Sequence, residues 1–242
     1  MNFAYLLVPG CNNHTYSDGI ILLHDSVASL KKYLPTSKIY IYYGYDDTNV
    51  DKIDNIKSFI QNNNLIGRDI GKLKHNFDRI EHDHVANSIV NPYRLNILIE
   101  KIYILLNHEN EEICFVDLDT KFKPNISNYS FNLNKPILYN NENHLLSQRG
   151  LDNFFKIMNY NVDNNSRMFN SGFIYIPLNK RKQIAQEAID LVLNMNKYSD
   201  KLRLAKDLDE QIALSIIIFK YYNTNIDYIE PYLIHSMGRH IK

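Results

Sequence analysis

Apolar and polar positions follow two periods along this chain, and the switches between them mark out its elements. Phe3-Ala4-Tyr5-Leu6-Leu7-Val8 is an unbroken apolar run, short enough for a buried strand, and Pro9-Gly10 ends it. A polar loop over 12–16 follows, and Ser17 or Asp18 is placed to cap a helix over about 18–33. On that helix Ile21, Leu22, Asp25, Ser26, Ser29 and Leu30 fall at amphipathic spacing, and Pro35 stops it. Residues 38–43 read as a second strand closed by Gly44, and 50–61 as a second helix with Ile53, Ile56, Phe59 and Ile60 on one face. The β-α-β-α order predicts a parallel sheet with right-handed crossovers. Leu65-Ile66 opens a short third strand, and the stretch 68–91 has no readable period.

The pattern sharpens again at 93–106, a helix with Leu95, Leu98, Ile99, Ile102 and Leu106 in a stripe and Pro92 near its start. Ile113-Cys114-Phe115-Val116, all apolar, reads as a central strand. Beyond Phe122 a polar loop leads to a strand over 136–139, then a short helix over 151–158. Residues 168–177 form an apolar strand entered through Asn170-Ser171-Gly172, and 181–195 an amphipathic helix with Ile184, Ala188, Leu191 and Val192 inward. The helix over 211–222 is apolar nearly all round, hence buried, and 226–229 is a last strand. With no repeat, linker or low-complexity block, the expectation is one α/β domain over 1–242, a mostly parallel central sheet flanked by helices.

Composition narrows the partners. Lys plus Arg and Asp plus Glu number 27 each, so the formal net charge is zero and no basic field supports nucleic-acid or anionic-membrane binding. The most apolar stretch, 212–219, falls far short of the ~18 residues of a membrane span. The segment 1–8 has no basic lead or cleavage signature, so a cytoplasmic protein without signal peptide or transmembrane segment is expected. Cys11 and Cys114 are the only cysteines. They build no disulfide framework, and Cys114, in the central strand, is expected as a buried thiol.

The candidate chemistry starts where the central strand ends. Asp117 and Asp119 stand there, and in an open α/β sheet ligands bind beyond the carboxyl ends of the strands. Residues two apart in a strand point the same way, so both carboxylates can face one crevice. Close carboxylates repel, and a divalent cation with a taste for oxygen, Mn²⁺ or Mg²⁺, compensates them. The alternative is a pair of aspartates capping a turn or the next helix. Glu81-His82-Asp83-His84 has metal-binding composition but no partner ligands in view, and reads as a solvated loop or helix turn.

Four features then line up in order: the D-x-D at a strand end, Asn170-Ser171-Gly172 at a later strand, Asp209-Glu210-Gln211 heading a buried helix, and His235-Ser236-Met237-Gly238 with basic residues after it. The ordered set resembles the GT-A glycosyltransferases, a Rossmann-like nucleotide-diphospho-sugar transferase fold, and most closely their family 8 (glycogenin- and galactosyltransferase-like) branch. The resemblance runs from Tyr5 to Lys242. It implies a hexose transferred from a nucleotide-sugar, UDP-glucose or UDP-galactose, to a hydroxyl on a glycan, protein or small-molecule acceptor, with retention of configuration. It implies Mn²⁺ or Mg²⁺ on Asp117, Asp119 and His235, and close approach of the diphosphate at Gly238. Tyr16 matches an aromatic that packs on the base, and Arg94 and Lys101 match basic positions that contact the donor. Asn170, Ser171 and Gly172 would line the sugar subsite, Glu210 and Gln211 would stand near the anomeric carbon, and Asn140, Glu142 and His144 would lie toward the acceptor.

The chain departs from that pattern at two places. Ile241 stands where the family's tail has Lys, so Arg239 or Lys242 must substitute on the diphosphate. Glu210 replaces the usual Asp and is one methylene longer; if Asp209 is instead the reactive group, the acidic pair suits a general base, as in inverting members. Two other readings compete. A haloacid-dehalogenase-type phosphatase would use Asp117 as nucleophile and Asp119 as acid/base, but its motif ends the fold's first strand, and here two β-α units precede it. A GT-A-like domain that only binds a nucleotide or glycan is the second, motivated by the altered tail and Glu210.

Overall fold

The computed structural model describes residues 1–8, 16–45, 50–73, 93–108, 110–145, 167–197 and 209–235, with the backbone alone at 16–18, 93–97, 141–145, 196–197 and 209. The expected helix over 151–158 and the cluster Glu81–His84 lie outside the described residues, as does Cys11. The strands are β1 (Asn2–Leu7), β2 (Ile39–Tyr45), β3 (Ile66–Lys72), β4 (Ile113–Val116), β5 (Thr120–Phe122), β6 (Ile137–Leu138), β7 (Asn141–Leu145), β8 (Arg167–Phe169), β9 (Phe173–Tyr175), β10 (Asp227–Tyr228) and β11 (Leu233–His235). The helices are α1 (Tyr16–Tyr33), α2 (Ile53–Asn62), α3 (Tyr93–Asn107), α4 (Leu178–Lys197) and α5 (Asp209–Tyr222). A seven-stranded sheet takes the order β10-β6-β9-β4-β1-β2-β3. No helix among the described residues is long and apolar enough to cross a membrane.

By contacts the chain divides into two compact units: 1–101 with 113–129 and 232–242, and 102–112 with 130–231. In the first unit β1 lies parallel to both β2 and β4, and β2 parallel to β3. A strand with neighbours on both sides and cover on both faces has no polar side, which is why residues 3–8 and 113–116 read as unbroken apolar runs. The α1 stripe differs from the expected one. Leu23, Ser26, Val27 and Leu30 are buried and Ile21 is 58% exposed. Ser26 and Leu30 keep their expected inward places, and Ser26 Oγ donates to the buried Tyr5 hydroxyl at 3.0 Å. α2 buries Ile53, Ile56 and Ile60 and ends through Asn64 at φ 49°. At the far edge Gly71 takes φ 74° beside a register shift at Tyr43/Gly44.

In the second unit β6 lies parallel to β10 and antiparallel to β9, while β7 pairs antiparallel with β8. The expected single strand over 168–177 is two strands, β8 and β9, because Asn170-Ser171-Gly172 makes a turn between them. α5 buries Ile212, Ala213, Leu214, Ile216, Ile217 and Ile218, as its all-round apolar pattern requires. The last expected strand, 226–229, is β10 followed by a 3₁₀ turn and a further strand, β11.

Arg181, at the start of α4, is fully buried. Its guanidinium donates to the Glu111 carbonyl at 2.7 Å and the His108 carbonyl at 3.3 Å, taking up acceptors just past the end of α3. The Tyr175 hydroxyl, 2.8 Å from the Glu112 carboxylate, adds to the same corner. Arg181→Met leaves buried carbonyls unsatisfied, each charge-assisted bond being worth roughly 1.5–3 kcal/mol. Urea unfolding is expected to show a loss of about 3 kcal/mol or more; a loss under about 1 kcal/mol would mean the guanidinium is not holding this corner.

Candidate functional site

The site grows out of the end of β4, whose four side chains are all buried. After Val116 the backbone does not continue as a strand. Thr120 N–H donates to the Asp117 carbonyl at 3.1 Å, closing a turn over 117–120. Asp117 and Asp119 therefore converge as turn residues rather than as same-face residues of a strand. The turn sends β5 back, and β5 pairs antiparallel with β11, with His235 opposite Thr120. That register sets the imidazole beside the acidic pair. His235 Nε2 is 3.0 Å from Asp119 Oδ1 and 3.6 Å from Asp117 Oδ2. One ligand atom from each of the three residues falls within 4.8 Å of the others.

The ribbon is held in place by α1. Ser29 Oγ accepts the Phe122 N–H at 3.0 Å and donates to the Ser26 carbonyl at 2.7 Å. Lys121 Nζ meets Asp25 Oδ2 at 2.8 Å, and the Phe3 and Phe122 rings pack edge to face at 5.5 Å. Asp25 and Ser29, polar residues within the α1 pattern, are thus spent on positioning β5. α3 supplies the remaining charge: Lys101 is buried, with Nζ 2.8 Å from Asp117 Oδ1 and 5.6 Å from the Phe115 ring centroid.

The electrostatics follow from this crowding. Burial pushes the Asp117 carboxyl up, but Lys101 and then His235 outweigh it and hold the group below the usual carboxylate range. Burial pulls the His235 imidazole down, but hydrogen bonds and charge from Asp117 and Asp119 outweigh that and raise it to about 9. Two carboxylates are thus compensated by two cations. The donor set, two hard carboxylate oxygens and an imidazole nitrogen, fits a divalent cation.

Asn170, Ser171, Gly172, Glu210 and Gln211 come together in the second unit. Gly172 N–H donates to Asn170 Oδ1 at 2.8 Å, Ser171 N–H to Gln211 Oε1 at 3.0 Å, and Ser171 Oγ to Glu210 Oε1 at 3.0 Å. Asn140 joins them through its carbonyl, which accepts the Asn170 N–H at 3.2 Å. The side chains of Tyr16, Arg94, Glu142, His144 and Asp209, and all of Gly238, Arg239 and Lys242, lie outside the described residues. No motif or periodicity in the sequence marks the Lys101–Asp117 and Asp25–Lys121 pairs as pairs. The sequence signal for the second was an acidic residue on the inward side of the α1 pattern; the first left none.

No protein-family model matches the chain, and no curated protein matches it by sequence. Its fold is similar to that of an active-site mutant of LgtC, with a TM-score of 0.56 and 10% identity over 94% of this chain and 72% of that one. It is similar in the same way to the galactosyltransferase LgtC in complex with donor and acceptor sugar analogues, with a TM-score of 0.54 and 11% identity over 94% of this chain and 73% of that one. At such identities the likeness is one of fold. The chain has the GT-A arrangement, a mostly parallel central sheet flanked by helices.

The charged cluster makes stability depend on pH when chelator keeps metal away. His235 rises from an ordinary 6.5 to about 9 on folding, so its stabilising contribution is complete below about 6.5 and lost as pH climbs through about 9. In EDTA the melting temperature is expected to fall across that window, and less so in His235→Gln. Parallel curves for the two proteins would refute the assignment.

Proposed function

We propose that this chain is a metal-dependent glycosyltransferase of the family 8 kind, moving a hexose from UDP-glucose or UDP-galactose to a hydroxyl acceptor with retention of configuration. The observation that carries the reading is the Asp117–Asp119–His235 cluster beyond β4 of a GT-A fold. A phosphatase using Asp117 as nucleophile would need that residue at the end of the fold's first strand, and it follows β4.

Asp117, Asp119 and His235 would hold Mn²⁺ or Mg²⁺. When bound, the cation supplies Lewis-acid compensation for charge left on the diphosphate. The chain's own residues do the rest. Lys101 occupies Asp117 Oδ1, so Oδ2 is the oxygen turned toward His235. The α1–β5 bonds fix the ribbon that carries the imidazole, and sites on such braced elements keep their geometry.

In the reaction the bond between the sugar's anomeric carbon and the diphosphate oxygen breaks, its electron pair leaving with the nucleotide. A bond to the acceptor oxygen forms, and that hydroxyl's proton passes to the departing diphosphate oxygen, which has taken up the electron pair. Arg239 and Lys242, with Gly238 permitting close approach, would add positive charge at the diphosphate, and Arg94 at the donor. Tyr16 would stack on the base. We assign the sugar end to Asn170, Ser171 and Gly172, with Glu210 and Gln211, or Asp209 in a basic role, beside the anomeric carbon. Asn140, Glu142 and His144 would serve the acceptor.

UDP release from UDP-glucose and UDP-galactose, followed with Mn²⁺ and with EDTA, tests this. Turnover is expected to need the metal. Asp117→Asn and Asp119→Asn are each expected to lower it by about a hundredfold or more, several kcal/mol of transition-state stabilisation being at stake. No UDP release from either donor, or release indifferent to EDTA, would reject the proposal.

A further inference from the structure

One residue of the β8–β9 turn grips two consecutive side chains of α5. Ser171 Oγ donates to Glu210 Oε1 and Ser171 N–H donates to Gln211 Oε1, each at 3.0 Å. All three residues are buried. The only acceptor on a side-chain amide is its oxygen, so the Gln211 amide is fixed with that oxygen on the turn and its NH₂ directed away from it. The turn cannot drift from the helix, because Ser215 Oγ accepts the Phe169 N–H at 3.3 Å and donates to the Gln211 carbonyl at 2.7 Å. Within the turn, Asn170 Oδ1 holds the Gly172 N–H. The arrangement is over-determined for a simple strand connection: a hydroxyl, a backbone amide and a second serine all serve to orient one Glu-Gln pair.

We propose that Ser171 is a positioning residue for the transfer, acting through Glu210 and Gln211 so that the pair meets the sugar as a carboxylate and an amide NH₂. This rests on the reading of the chain as a nucleotide-sugar glycosyltransferase and deepens it. Glu210 is then the negative group that faces developing positive charge on the sugar ring. Gln211 acts as a hydrogen-bond donor to a sugar oxygen, its own carbonyl oxygen being taken up by the turn. The hydroxyl of Ser171 keeps the Glu210 carboxylate in one rotamer, a constraint that matters for a side chain with three rotatable bonds.

Ser171→Ala, Ser171→Thr and Glu210→Gln decide it, measured as UDP release from UDP-glucose and UDP-galactose with Mn²⁺, alongside melting temperature. Ser171→Ala is expected to fold, to keep donor KM within about threefold and to lose about 10- to 100-fold in kcat, the size of a lost hydrogen bond to a charged group. Ser171→Thr is expected to recover most of that loss. Wild-type kcat in Ser171→Ala, a loss in KM alone, or no recovery with Thr overturns the positioning role. If Glu210→Gln has meanwhile lost turnover, glycosyl transfer itself stands. Absence of UDP release by the wild-type protein overturns the reading of the site and this proposal with it.

Discussion

Two carboxylates on one four-residue turn, both mostly shielded from water, set the terms for the rest of this structure. An uncompensated ion in such a place costs several kcal/mol, against a total stability of about 5–15 kcal/mol for a typical domain. The fold answers with cations from far along the chain. Lys101 comes from α3 and takes one oxygen of Asp117; His235 comes from β11 and lies between the other oxygen and Asp119. Compensation from elements so distant makes the cluster a fastening as well as a site. The same need explains why the imidazole's affinity for its proton rises in spite of burial.

That answer requires β11 to arrive in one register. A slip of one residue would turn His235 to the opposite face of the ribbon and bring Ile234 in. The register is held from the partner strand. β5 is bonded to α1 through Ser29 and through the Asp25–Lys121 pair, and its Phe122 packs on Phe3 of β1. The position of the imidazole is therefore inherited from the first helix and first strand of the chain. Only the last link, three residues of antiparallel pairing, belongs to the segment that carries it.

Much of this was legible in the sequence, and the limits were physical ones. Strands buried on both faces announce themselves as apolar runs, so β1, β2 and β4 stood out, as did the D-x-D after β4. The stripes on α2 and α4 were readable for the same reason. On α1 Ser26 and Leu30 were legible as inward, but the pattern put Ile21 inward where Leu23 and Val27 are buried. β5 and β11 are three residues each, too short for a period-two signal. The break between β8 and β9 was hidden because the turn residues sit inside an apolar run and are themselves buried. Ion pairs such as Lys101–Asp117 are tertiary facts: helix α3 needs charges on its polar side whatever they meet, so the sequence pattern was silent on this one.

The two polar clusters solve different problems with the same construction. In each, a short turn between strands presents groups that a helix or a distant strand completes: 117–120 with Lys101 and His235, 170–172 with Glu210 and Gln211. The first is a balance of full charges, suited to a ligand that brings charge of its own. The second carries one acidic side chain, Glu210, which takes a hydrogen bond from the Ser171 hydroxyl, beside Gln211, which takes one from the Ser171 backbone amide.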